Sequence, residues 1–151
     1  MKRFRFPLRS VAILRSHKEA VARDRLAAAI RMCAAVEVRL DEARMRLLQM
    51  EQLRSVERSG RFRPADEISF FHAYRRECAT EAEVTKQLAA AVTEVDAQRG
   101  ACVEANRAVK AIERLEESSF EAYRAGAFRS EQAESDELAG RRVGRRMPIS
   151  P

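Results

Sequence analysis

This sequence is poor in the residues that interrupt helices. Its 151 residues include four prolines and five glycines, and between Pro7 and Pro148 the only proline is Pro64. Frequent turns are therefore excluded. One short polar break is left, Ser59-Gly60-Arg61-Phe62-Arg63-Pro64. Tryptophan is absent and aromatics make up 6% of the chain, against 34% charged residues. That balance belongs to long helices or coiled coils rather than to a compact core. Cysteine is scarce as well: Cys33, Cys78 and Cys102 form no CxxC pair, and only His17 and His72 could join them at a metal. An odd, widely spaced set excludes a disulfide framework and reads as small buried hydrophobes in a reducing compartment.

Long hydrophobic runs are missing too. Val11-Ala12-Ile13-Leu14 is too short for the core of a secretory signal. Nothing approaches the roughly 20 apolar residues that cross a bilayer. A soluble, cytoplasmic protein without direct membrane insertion is expected. No Gly-x-x-x-x-Gly-Lys loop, GxGxxG fingerprint or Ser/His/Asp set is present. Carboxylate pairs such as Glu116-Glu117 and Asp136-Glu137 sit in charge-rich helical sequence and read as solvated faces. The expectation is a protein that is not an enzyme and carries no cofactor, catalytic residue or metal site.

What remains is rich in Ala, Leu, Glu, Arg and Gln, which lose little entropy in a helix. The expected fold class is all-α, a long two-helix antiparallel coiled-coil hairpin. A single domain over 1–140 would hold a helix at about 8–58, a turn at about 59–66 and a helix at about 67–139. A basic, flexible tail would follow at 141–151. Ala22, Leu26, Ala29, Cys33, Val36, Leu40, Ala43, Leu47 and Met50 alternate steps of four and three, the a/d heptad pattern. The pattern fails at Arg54 and Glu57. Upstream, Val11, Leu14 and Val21 fit a shifted register, which predicts a stutter near 15–22. The second seam runs through Val84, Leu88, Ala91, Val95, Gln98, Cys102, Ala105, Val109 and Ile112. Gly100 and Gly126 are weak points inside that helix. The helices differ in length, so part of the second, near 115–139, should protrude or meet something else. With both seams paired inside one chain, a monomer is expected.

Charge is unevenly placed. Residues 1–18 hold Lys2, Arg3, Arg5, Arg9, Arg15 and Lys18 with no acid, and 141–151 hold Arg141, Arg142, Arg145 and Arg146 with no acid. The formal net charge is +6, so the stretch between these ends is net acidic. A basic tail without interleaved aromatics offers no base-stacking surface. Nucleic acid is not an expected partner.

Three clusters carry functional interest. Phe4-Arg5-Phe6-Pro7-Leu8 reads either as a staple folding Phe6 onto its own helix or as an apolar plug in a positive end. Near the break, Phe71, Tyr74 and Cys78 have helical spacing and would continue the seam, while Phe62 and Phe70 would point elsewhere. They form either a small core or an exposed patch for a partner. Finally, Leu115, Phe120 and Tyr123 add apolar surface off the seam.

Phe4-x-Phe6-Pro7-Leu8-x-x-Val11-x-x-Leu14-Arg15 resembles the opening of the flagellar export protein FliJ family. Lys110-Ala111-Ile112-Glu113-Arg114-Leu115 and Glu131-Gln132-x-x-x-Asp136-Glu137-Leu138-Ala139 resemble its closing region. Ser118-Ser119-Phe120 departs from the charged sequence usual there. The resemblance implies a central stalk that inserts its paired termini into the ring of a hexameric export ATPase, promotes its assembly or activity and links it to an export-gate membrane protein. It also implies contact with export chaperones, and a cytoplasmic location peripheral to the inner face of the cell membrane. Carried onto this chain, ATPase contact falls to Phe4, Phe6, Leu8, Arg9, Arg15, Glu131, Gln132, Asp136 and Glu137. Export-gate contact is expected at Phe70, Phe71 and Tyr74, from their position near the turn more than from a motif. The equivalent stalk of an injection-type secretion machine and a generic coiled-coil scaffold are the alternatives.

Overall fold

The computed structural model describes residues 3–57, 60 and 63–144. Phe62, Arg145 and Arg146, singled out above, lie outside the described residues. Two helices account for the fold, α1 over Arg9–Glu57 and α2 over Pro64–Gly144, with no strand among the described residues. They pack against each other as an all-α helical hairpin. Contacts divide the chain into two compact units, Met1–Lys18 with Ala105–Pro151, and Glu19–Glu104.

Helix ends follow local chemistry. The Leu8 carbonyl accepts the amide of Ala12 at 3.0 Å, so Leu8 caps α1 immediately after Pro7. At α2, Pro64 takes the first helical position, where its missing N–H costs nothing. The Arg63 carbonyl receives the amides of Asp66 and Glu67, whose carboxylates stand at the positive end of the helix dipole. At the other end α2 continues past Gly140 to Gly144, beyond the expected 139. Arg141 and Arg142 occupy its last turn, and Arg141 pairs with Glu137 at 2.6 Å. Cations there complement the carbonyl end of the helix.

The unit Glu19–Glu104 is held by an apolar seam. Val36, Leu40 and Val84 form its buried cluster with Leu88 packed against it. Ala43 has no exposed surface at all, and Val95 is buried. Every position of the α1 heptad run is buried or half-buried. The expected stutter is absent, because inward positions continue as Ala12, Arg15, Glu19, Ala22 and Leu26 in steps of three and four. Val11 and Leu14, which suggested the shift, are exposed. Charged side chains occupy the inward positions there, and an apolar search passes over them. Glu19 is buried and pairs with Arg23 at 2.6 Å.

Beside the seam, α1 supplies guanidinium groups and α2 carboxylates. Arg44 Nε donates to Glu81 at 3.2 Å and Arg46 Nε donates to Glu77 at 3.1 Å. These half-exposed pairs fix the antiparallel register more than they stabilise it, since exposed pairs contribute about 0.2–1 kcal/mol each.

In the unit containing both chain ends, Ile112 and Phe6 are the buried apolar residues among those described. Inward positions on α2 run on through Glu116, Ser119, Tyr123 and Ala127, and residues 128–142 are exposed throughout. The stretch expected to protrude is therefore narrower than 115–139 and lies later in the helix.

Gly100 sits inside α2 without a positive φ, and a Cβ built there meets nothing within 4 Å. Gly100→Ala should thus raise stability by about 1 kcal/mol. Leu40→Ala should lower it by about 2 kcal/mol, whereas exposed Met45→Ala should stay within about 0.5 kcal/mol. Urea titration followed by circular dichroism measures all three.

Candidate functional site

The N-terminal segment does not project as a bare apolar plug. Phe4 lies edge-on to Phe120 at 5.3 Å between ring centroids and tilted on Tyr123 at 5.4 Å. Phe6 is 8% exposed. The segment thus reaches α2 through Phe4 and does not stand free as a plug. Tyr123 is half-buried, and Phe120 keeps 43% of its surface exposed. They form the landing place of Phe4, and the departure Ser118-Ser119-Phe120 supplies one of its rings. Edge-to-face pairs contribute about 0.5–1.5 kcal/mol beyond burial, enough to seat a short segment.

Arg15 adds a polar anchor within the same unit. Its Nη1 donates to the Ala108 carbonyl at 2.9 Å. The stem lies at an inward position of α1, so the guanidinium reaches the backbone of α2 without a carboxylate partner in that bond. Leu8 and Arg9 stay exposed. Glu131, Gln132, Asp136 and Glu137 are all exposed on α2. The residues of the opening and closing motifs, far apart in the sequence, thus belong to one compact unit. Within it Phe4, Phe6 and Arg15 hold the segment, while Leu8, Arg9 and the four polar residues of α2 face solvent. The exposed rings and chains of Phe128 and Leu138 lie among those polar residues.

The aromatic cluster belongs to the other unit. Phe70 stacks on Tyr74 at 6.0 Å and meets Phe71 edge-on at 6.3 Å. Phe70, not Phe71, takes the inward position: α2 turns Glu67, Phe70, Tyr74, Glu77, Glu81 and Val84 inward in steps of three and four, and Phe71 is 44% exposed. The expected assignment of these two rings is therefore reversed. Arg54 explains how the seam survives its apparent failure. The Arg54 guanidinium lies 4.7 Å from the Phe71 ring centre and 5.4 Å from that of Phe70, and Nη2 donates to Glu67 at 3.3 Å. A cation over two ring faces, with a carboxylate at its edge, replaces an aliphatic layer. Leu53, Val56, Ile68 and Phe71 remain as exposed apolar surface in the same region.

Tyr74 donates its phenolic O–H to Glu51 at 2.8 Å. That hydrogen bond, followed by the charge of the carboxylate, pushes the phenol up from 10.0 to about 12. The raised value favours the neutral phenol in the folded chain. This contribution is complete below pH 10.0 and is lost as pH rises through about 12.

No group of three or more His, Cys, Asp or Glu among the described residues could hold a metal, and no helix there is long and apolar enough to cross a membrane. Arginine at an inward position is the feature that an apolar search does not find. Arg15 and Arg54 are legible only once heptad positions are counted through charged residues.

Comparison with known proteins adds one match. A family model described as "Flagellar FliJ protein" matches residues 4–148. No curated protein matches, and no solved structure matches.

Two outcomes follow from the geometry. Phe4→Ala should speed amide hydrogen exchange over residues 9–18, leaving protection around Leu40 and Val84 unchanged. Absorbance titration should find a phenol ionising near pH 12 that moves toward 10.0 in Glu51→Gln.

Proposed function

The chain belongs to the flagellar FliJ protein family, and from that premise we propose that it is the central stalk of a flagellar type III protein export apparatus. In this reading the unit that carries both chain ends enters the ring of the hexameric export ATPase and promotes its assembly or activity. The aromatic region around Phe70, Phe71 and Tyr74 meets the export-gate membrane protein, and export chaperones are further partners. The protein acts as a cytoplasmic monomer, held at the inner face of the cell membrane through the apparatus.

The observation that carries the proposal is the joining of the two family motifs in one compact unit. Phe4 seated on Phe120 and Tyr123, and Arg15 on Ala108, present Leu8 and Arg9 in the same unit as Glu131, Gln132, Asp136 and Glu137. Roles divide accordingly. Phe4, Phe6 and Arg15 act by positioning the segment, and the exposed residues make the contact. At the gate, Phe71 offers the accessible ring, with Phe70 and Tyr74 behind it.

The test is ATP hydrolysis by the cognate export ATPase with and without the purified protein. Stimulation is expected, and Leu8→Asp combined with Arg9→Glu should reduce it about tenfold, as loss of central contacts does at other interfaces. Circular dichroism of that variant should match the parent. Absence of stimulation by the parent protein, or full stimulation by the variant, would overturn the reading. Phe71→Ala should lower affinity for the gate protein about tenfold in the same way while leaving ATP hydrolysis unaltered.

A further inference from the structure

The unit Glu19–Glu104 carries a face that neither the ATPase contact nor the gate contact uses. At about 3.6 residues per turn, the side of α1 turned away from Val36 and the seam holds Ala27, Ala34, Val38 and Met45. Ile30, Asp41 and Leu48 border it on one flank, Arg31 and Glu42 on the other. Val38 is 57% exposed and Met45 55%, and Ile30 and Leu48 are exposed as well. This part of α1 is therefore apolar on two opposite sides, where a helix in a hairpin needs only one. The facing stretch of α2 has no counterpart: its positions farthest from the seam are Ala79, Lys86, Thr93 and Gly100.

This face is graded along its length. Its first half is small and cationic, with Ala27, Ala34 and Arg31. Its second half is large and anionic, with Val38, Met45 and Asp41. Neither Arg31 nor Asp41 has an ion pair among the described residues. The two halves complement each other. A second copy of the chain, laid antiparallel on this side with a two-fold axis behind Val36, sets Met45 against Ala27 of the second copy. The same operation sets Val38 against its Ala34 and Asp41 against its Arg31. Symmetry repeats each contact, as an isologous interface requires. Large side chains then lie over small ones, and each exposed charge meets an opposite one. Ile30, Leu48 and Glu42 stay at the rim. A parallel copy brings Asp41 beside Glu42 of the second copy and Arg31 beside its Ile30, so both charges lose by it.

We propose that the back of α1, formed by Ala27, Arg31, Ala34, Val38, Asp41 and Met45, is a self-association face on which two copies of the chain pair antiparallel. A basic helix of another protein answers Asp41 but leaves Arg31 without an opposite charge. The pairing is a property of the chain alone and stands or falls independently of the stalk reading. Where that reading holds, the single copy that works at the ATPase ring is drawn from a dimeric pool, and pairing limits its supply by mass action.

Sedimentation equilibrium of the full chain should find monomer and dimer in exchange at micromolar concentration. Arg31→Asp and Asp41→Arg should each weaken the dimer at least about tenfold, because each sets like charges together twice. An equimolar mixture of these two variants should regain the parental affinity, since the mixed pair matches opposite charges at both contacts. Val38→Ser should weaken the dimer at least about tenfold as well. Phe71→Ala, in the aromatic region, should pair as the parent does. All four positions are exposed, so circular dichroism should show the parental helix content in every variant. A chain that stays monomeric throughout would refute the proposal. So would undiminished pairing by either charge variant, a mixture that pairs no more tightly than its components, or loss of pairing in Phe71→Ala.

Discussion

Every other feature of this protein depends on one narrow contact, the seam where small and branched side chains of α1 meet those of α2. Val36, Leu40 and Val84 with Leu88 are its densest part, and Ala43 is its most enclosed point. Two helices by themselves enclose little volume, so seam side chains stay partly wet. Apolar burial is therefore distributed along the helices instead of concentrated in a centre. Alanine at many inward positions allows the backbones to approach closely, and the larger residues then fill the gaps between them. Beside this seam, Arg44 and Arg46 bond Glu81 and Glu77 at inward positions of α2 and reinforce its alignment.

Polar residues within the seam give the fold its specificity. A purely apolar heptad run permits alternative alignments, because any shift by seven residues restores the pattern. Arg15 on the Ala108 carbonyl and Arg54 between Glu67 and two phenylalanine rings each fit a single alignment. These residues do for the hairpin what a buried asparagine does for a coiled-coil dimer.

Much of this was readable from the sequence. The scarcity of Pro and Gly, the heptads and the single break at Pro64 together determine two helices and their pairing. The apolar seam positions from Ala22 to Met50 and from Val84 to Ile112 are all inward-facing as the spacing implied. What the sequence hid was the inward use of charged residues. Counting only apolar positions produced a stutter at 15–22 that does not exist and placed Phe71 inward where Phe70 lies. The landing of Phe4 on Phe120 and Tyr123 was also hidden, since it joins distant segments through rings that local spacing cannot pair. Of the candidate site, the motif residues were legible by resemblance. Which of them anchor and which face solvent required the contacts.

The exposed run from Phe128 to Arg142 has a consequence of its own. With no neighbouring helix against it, that part of α2 is sustained only by its backbone ladder, its alanines and local ion pairs such as Arg141 with Glu137. Such a stretch lacks the tertiary packing that supplies most helical stability in proteins. Its ellipticity is then a gauge of occupancy: anything that grips it draws the equilibrium toward full winding, and the free energy of that ordering is subtracted from the affinity observed.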